Sequence, residues 1–188
     1  RGCGTVVLVA RREARLRALA EELGPTAQVY VADLTDPEAI AQMIADWPRV
    51  DLLVNNAGFG WGDAFAHQTD DVDRLLRMVD LNCRAVVQLT AGWVQGMIDR
   101  EQGWILNVGS IAGMLPIPYM AVYTGTKGFV HQFSEALRME LRGTGVCVHI
   151  LAPGPVQTEF FNVSRPDAGE RPLQGLFIQP DRVARESL

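Results

Sequence analysis

Five short apolar runs, each set off from the next by a stretch with helical spacing, constrain this chain most. Residues 5–9, 28–31, 50–54, 104–108 and 146–151 are the predicted strands. They are apolar throughout rather than alternating, as in parallel sheets covered by helices on both faces. Residues 13–23 read as a helix, and Thr35-Asp36-Pro37-Glu38 opens another with a capping side chain before a proline. Thr69 or Asp70 is the expected cap of a long helix whose apolar positions are Val72, Leu75, Leu76, Val79, Cys83, Val86 and Val87. A further helix carries Val130, Phe133, Leu137 and Leu141 on one face. Residues 154–179 read as a long loop, and Pro180 starts a last helix. The expected fold is therefore α/β, a doubly wound parallel sheet. No repeat or linker interrupts it, so residues 1–188 read as a single domain.

Ligands of such sheets sit beyond the carboxyl ends of the strands. Those ends carry Arg11, Asp33, Asn55, Ser110 and Pro153. Beside them, Tyr123 and Lys127 stand four residues apart, on one helix face. Lys127 is the only lysine among 17 basic residues. A lysine is a compact cation whose pKa the environment can move. Next to a phenol it favours the phenolate, so Lys127 is expected to lower the pKa of Tyr123 toward acid/base use. Ser110, just after a strand, can hold a substrate oxygen while Tyr123 moves its proton. Asn82 interrupts the long helix either as an anchor for a water in the proton path or as a buried amide bonded to backbone.

Other classes are excluded on composition. A net charge of −5 with arginines scattered among acids argues against a nucleic-acid surface. Hydrophobic residues at 48% leave disorder without support. No apolar run has the length to span a bilayer. Cys3, Cys83 and Cys147 suit buried thiols in a reduced, cytoplasmic protein. His67, His131 and His149 lack metal-ligand spacing and read as structural or surface residues, so no metal site is expected. Asp70, Asp71 and Asp73 read as charges at a helix N-terminus.

Asp33-Leu34, Asn55-Asn56-Ala57-Gly58, Asn82, Ser110, Tyr123-x-x-x-Lys127 and Pro153-Gly154-x-x-x-Thr158 follow in order along nearly the whole chain. In these motifs and their spacings the sequence resembles the short-chain dehydrogenase/reductase family. The resemblance implies a Rossmann fold, a nicotinamide cofactor and hydride transfer between that cofactor and a carbonyl/alcohol substrate. It implies Tyr123 as acid/base, Lys127 as its partner and holder of the nicotinamide ribose, Ser110 as substrate orienter and Asn82 as support of the proton relay. It places Asp33 and Leu34 at the adenine, Asn55, Ala57 and Gly58 along the cofactor and central sheet, and Pro153, Gly154 and Thr158 around the nicotinamide. It also implies that the long helix and the Tyr123 helix pair across the interface of a homodimer or homotetramer.

Within that frame, Ala10-Arg11-Arg12 stands where NAD would need a carboxylate, so NADP is expected, with Arg11 as a contact. The alternative for Arg11 and Arg12 is a pair of solvated charges at a helix start. Phe59 and Trp61 either wall the substrate or pack their loop. Phe160, Phe161, Leu173, Leu176 and Phe177 make the late loop apolar and imply a substrate with an apolar body. The family's first strand, glycine-rich turn and first helix have no counterpart here, nor does its last strand. The expectation is that the chain is part of a longer protein. Were it whole, the strands flanking the missing one would have unpaired edges, and neither a stable fold nor catalysis would be expected. A catalytically silent binding or regulatory module of the same family is the alternative to an oxidoreductase. Epimerase or dehydratase chemistry at Tyr123 is a third reading.

Overall fold

The computed structural model describes residues 4–156 and 177–186. The elements run β1 (Val6–Ala10), α1 (Glu13–Leu23), β2 (Ala27–Val31), α2 (Pro37–Asp46), β3 (Leu52–Asn55), α3 (Phe65–Gln68), α4 (Val72–Val79), α5 (Ala85–Asp99), β4 (Gly103–Val108), α6 (Ala121–Glu140), β5 (Val146–Leu151) and α7 (Pro180–Glu186). The strands pair in parallel, and helices connect them in a Rossmann-like order.

The five strands form two sheets, β1-β2 and β3-β4-β5, with no pairing between β1 and β3. Register runs from Val6↔Ala27 to Ala10↔Val31 in the first. In the second, Leu52, Trp104 and Cys147 line up across three strands. Their neighbours Leu53, Ile105 and Val148 point the other way, into the main core with Ile40 and Met43 of α2 and Leu89, Trp93 and Met97 of α5. That core crosses the break between the sheets, since Leu34, Val9 and Tyr30 also pack in it. Leu52, Trp104 and Cys147 are exposed, so Cys147 is not the buried thiol its apolar strand suggested. Cys3 lies outside the described residues.

Capping decides where the helices start. Asp36 accepts the Glu38 N–H at 3.0 Å and Pro37 takes the first helical position, as expected. The long helix starts differently. Its cap is Asp71, which accepts the Arg74 N–H at 3.1 Å, rather than Thr69 or Asp70. A short helix and a 3-10 turn at Thr69–Asp71 precede it. The helix is then broken by a π turn at Asp80–Arg84, where the Ala85 N–H bonds back to the Asp80 carbonyl five residues earlier. Among the described residues no helix is long and apolar enough to cross a membrane.

After α6 the chain turns through Gly143 and Gly145, both at positive φ, 81° and 80°. A Cβ at Gly143 would meet open space, whereas at Gly145 it would collide with the Glu101 carbonyl. Gly143→Ala is therefore expected to cost about 1–2 kcal/mol from backbone strain alone. Gly145→Ala should cost clearly more, and urea unfolding of the two variants measures the difference.

Candidate functional site

α6 supplies the centre of the site. Tyr123 and Lys127 lie on its buried face, 7% and 6% exposed. Tyr123 packs with Leu75, Met78 and Ala112, and Phe59 and Trp61 close around the same cluster. Both aromatic groups thus lie beside the phenol, a position that serves a substrate wall and loop packing alike. The Ser110 side chain hydrogen-bonds Tyr123 and also accepts the Ala112 N–H at 3.1 Å. Lys127 Nζ donates to the Val108 carbonyl at 2.8 Å, which ties α6 to the last residue of β4.

Asn82 reaches this group because of the π turn, a feature often found at functional sites. It is 1% exposed and fully engaged. Its Nδ2 donates to the Phe59 carbonyl at 2.9 Å and to Thr126 Oγ1 at 3.0 Å, and its Oδ1 accepts the Phe59 N–H at 3.2 Å. Thr126 Oγ1 in turn donates to the Tyr123 carbonyl at 2.8 Å. The side chain is thus a buried amide bonded mainly to backbone. It joins the Asn-Asn-Ala-Gly loop, the π turn and α6. Gly58 makes this possible, because a Cβ there would stand 3.0 Å from Asn82 Oδ1 and 3.5 Å from Lys127 Nζ.

The electrostatics depart from expectation. Burial raises the Tyr123 pKa above its usual value, and the Ser110 hydrogen bond opposes this only in part. The lowering expected from Lys127 is not seen, since Nζ is turned to the Val108 carbonyl and burial dominates the phenol. Burial also pulls Lys127 down to about 8 and pushes Cys83 up to about 11, with a smaller mutual attraction opposing both shifts.

A cleft of about 340 Å³ opens at the ends of β1 and β2, and Arg11, Asp33, Leu34, Ala57 and Gly58 are among the residues that line it. Arg74 and Arg77 of α4 line it too and were not foreseen, because scattered arginines read as solvated charges. Asp33 Oδ2 meets Arg77 Nη2 at 3.0 Å and Arg11 Nη1 at 3.6 Å. Burial pulls the Asp33 carboxyl up, but two hydrogen bonds from Thr35 and the two guanidiniums outweigh it, and the net shift is downward. The Arg74 guanidinium lies 4.5 Å above the Trp61 ring.

Asn55 points away from the cleft. Its Nδ2 donates to Asn107 Oδ1 at 2.8 Å, and Asn107 donates to Ser134 Oγ at 2.9 Å, a buried chain from β3 through β4 to α6. These bonds tie β3, β4 and α6 together inside the protein. Pro153 accepts the Ile111 N–H at 3.1 Å, and Gly154 sits near Ile111 and Ile178. Thr158, Phe160, Phe161, Leu173 and Leu176 lie outside the described residues. No group of three metal-binding side chains occurs among the described residues. His131 was read as an ordinary residue, yet its Nε2 lies 2.9 Å from the Ser110 carbonyl oxygen.

A family model for short chain dehydrogenase matches residues 1–169. NADP-dependent 3-hydroxy acid dehydrogenase YdfG of Escherichia coli K12 is 40% identical over 163 residues, which is 84% of this chain and 65% of that protein. Sulfoacetaldehyde reductase of Chromohalobacter salexigens is 42% identical, over 83% of this chain and 64% of that protein. The chain thus spans a little under two thirds of these curated relatives. A short-chain dehydrogenase from Sphingobium yanoikuyae in complex with NADPH superposes with a TM-score of 0.86 at 30% identity, covering 95% of this chain and 71% of that one. The closed form of serine dehydrogenase complexed with NADP+ gives 0.83 at 34% identity, covering 97% and 77%.

The Lys127 shift has a signed consequence for stability. Folded Lys127 releases its proton near about pH 8, while the unfolded chain holds it to about 10.5. Above about pH 8 the unfolded state binds more protons, so stability rises with pH. Above pH 9, the ordinary Cys83 value, the raised Cys83 pKa acts in the opposite sense. Between these limits stability should climb by up to about 1.4 kcal/mol per pH unit. Lys127→Met should lack that climb in urea unfolding at pH 8 and pH 9.

Proposed function

The chain belongs to the short-chain dehydrogenase family, and on that premise we propose an NADP-dependent oxidoreductase acting on a carbonyl/alcohol pair. The observation that carries this reading is the convergence of Ser110, Tyr123, Lys127 and Asn82, from three separate elements, at the carboxyl ends of the strands.

The residues fit a dinucleotide. The cleft at β1 and β2 has glycine and alanine on one wall and guanidiniums at its rim. Gly58 leaves room in front of Asn82 and Lys127 that a Cβ would take. Arg11, Asp33, Leu34, Ala57 and Gly58 would hold the adenosine side, and Lys127, Pro153 and Gly154 the nicotinamide side. The cofactor, when bound, supplies or takes the hydride. The preference for NADP rests on Arg11 at the end of β1, where a guanidinium suits a 2′-phosphate. The relatives named as NADP-dependent or solved with NADP+ and NADPH support it.

In the reducing direction Tyr123 gives its hydroxyl proton to the substrate oxygen. The phenol is protonated at neutral pH, the form that can give a proton, although burial makes it a weaker acid than a free tyrosine. Ser110 donates to or accepts from the same oxygen and orients it. Lys127, charged below about pH 8, holds α6 against the end of β4 through the Val108 carbonyl and so fixes where Tyr123 stands. Asn82 holds the loop, the π turn and α6 in register. Exposed Met114 and Leu115, in the loop between Ser110 and Tyr123, suit a substrate with an apolar body. Exposed Val72, Leu76, Val79 and Val87 on α4 and α5 suit pairing into a homodimer or homotetramer. The free thiols Cys83 and Cys147 suit the cytoplasm.

Two measurements test this reading. NADPH oxidation against a panel of aldehydes and ketones should fall about 1,000-fold in Tyr123→Phe. NADPH binding, followed by nicotinamide fluorescence, should be unchanged in that variant. Binding without any turnover in the wild-type protein would favour the silent module. In Arg11→Ala, kcat/KM for NADPH should drop about thirtyfold, the loss of one charge-assisted bond of about 2 kcal/mol. The value for NADH should barely move, and an equal loss with both cofactors would remove Arg11 from 2′-phosphate recognition.

A further inference from the structure

His131 stands one helical turn beyond Lys127 on α6, as Lys127 stands one turn beyond Tyr123. Residues four apart lie on the same helix face, so the three side chains form one row against the end of β4. His131 Nε2 is 2.9 Å from the Ser110 carbonyl oxygen. A carbonyl can only accept, so Nε2 carries a proton and donates it. The same oxygen accepts the Gly113 N–H at 2.9 Å, which uses both of its lone-pair directions.

The imidazole sits in a slot that two glycines leave open. A Cβ at Gly109 would come 3.0 Å from Nε2, and one at Gly113 would come 2.8 Å from Cδ2. The backbone on either side of Ser110 is already anchored, with the Gly109 N–H on the Leu151 carbonyl at 2.8 Å and the Ile111 N–H on the Pro153 carbonyl at 3.1 Å. The Ser110–Ile111 peptide is thus held at its N–H by Pro153 and at its oxygen by Gly113, and His131 adds a side-chain donor to that oxygen.

We propose that His131 is a positioning residue for Ser110: its Nε2–H, added to the Gly113 N–H on the same oxygen, stiffens the Ser110–Ile111 peptide and so keeps the Ser110 hydroxyl aimed at Tyr123 and at the substrate oxygen between them. The proposal rests on reading Ser110 and Tyr123 as the pair that holds that oxygen. A residue that only fills space would need no donor at this position.

The test reads the Tyr123 hydroxyl directly. The chain has three tyrosines, so protein labelled with 13C at tyrosine Cζ gives three signals, and Tyr123→Phe identifies the one that matters. Ser110→Ala should shift that signal, and His131→Leu should shift it the same way. His131→Gln, whose amide N–H can reach the carbonyl, should restore it. kcat with NADPH and the best carbonyl of the panel should fall about tenfold in His131→Leu, with the NADPH dissociation constant unchanged, and should recover in His131→Gln. Should His131→Leu fail to fold, His131→Asn, too short to reach the carbonyl, carries the same readout.

A Tyr123 signal that moves in Ser110→Ala but not in His131→Leu overturns the proposal. So does an equal shift in His131→Gln, or no shift in Ser110→Ala. The labelling experiment needs no substrate. Absence of turnover in the wild-type protein would therefore count against the oxidoreductase reading and leave the positioning role to be decided by the tyrosine signals.

Discussion

A buried ammonium group needs a partner, and the rest of the site is arranged around the one that Lys127 finds. Its amine donates to the Val108 carbonyl at 2.8 Å, at the point where β4 ends and its ladder to β5 runs out. That bond requires α6 to lie almost on the strand end. The approach is so close that a Cβ on Gly113 would stand 2.6 Å from the Lys127 carbonyl carbon. Once α6 is held there, the helix repeat sets the neighbours. Tyr123 falls one turn earlier, against Ser110, and His131 one turn later, against the Ser110 carbonyl. Ser110 is therefore gripped on two sides by one helix whose position depends on Lys127 and on the bare backbone of Gly113.

The same dependence explains the burial of Asn82. An uninterrupted α-helix from α4 into α5 would carry its side chains past α6 at a fixed pitch. The π turn inserts an extra residue and resets that pitch, and Asn82 sits within it. Its amide then satisfies both the Phe59 peptide and Thr126, so the polar group is fully matched in a region where an unmatched one would cost about 1–3 kcal/mol. An apolar residue at this position would leave the Phe59 N–H and carbonyl without these partners.

Much of this was legible from residue order alone. The apolar runs located all five strands to within about two residues, and the Tyr123–Lys127 spacing located the helix that carries the site. What escaped had identifiable causes. A π turn leaves no mark on apolar periodicity, because Asn82 reads equally as a polar interruption of a straight helix. The cap fell on Asp71 because three acceptors in a row, Thr69, Asp70 and Asp71, are equivalent until the preceding backbone is known. The lowering of the Tyr123 pKa was argued from proximity to a cation alone, and proximity omits the burial that both groups share. Arg74, Arg77 and His131 were passed over because their partners, Trp61, Asp33 and Ser110, lie 13, 44 and 21 positions away in the chain.

The cleft shows why such long-range pairing bears on function. Asp33 alone would make the end of β2 repel a phosphate. Arg11 and Arg77 converge on a single oxygen of that carboxylate, and Arg74 lines the same cleft. Among the described residues that line the cleft, one carboxylate meets three guanidiniums, whereas the whole chain carries a net −5. Charges within a few ångströms in a partly enclosed cleft outweigh a diffuse net charge that salt screens over about 8–10 Å. An acidic protein can therefore present a cationic mouth to a polyanionic ligand. The carboxylate does not work against this, because it holds two guanidiniums in place at the rim before any ligand arrives, and preorganised charge is the form in which electrostatic binding is most effective.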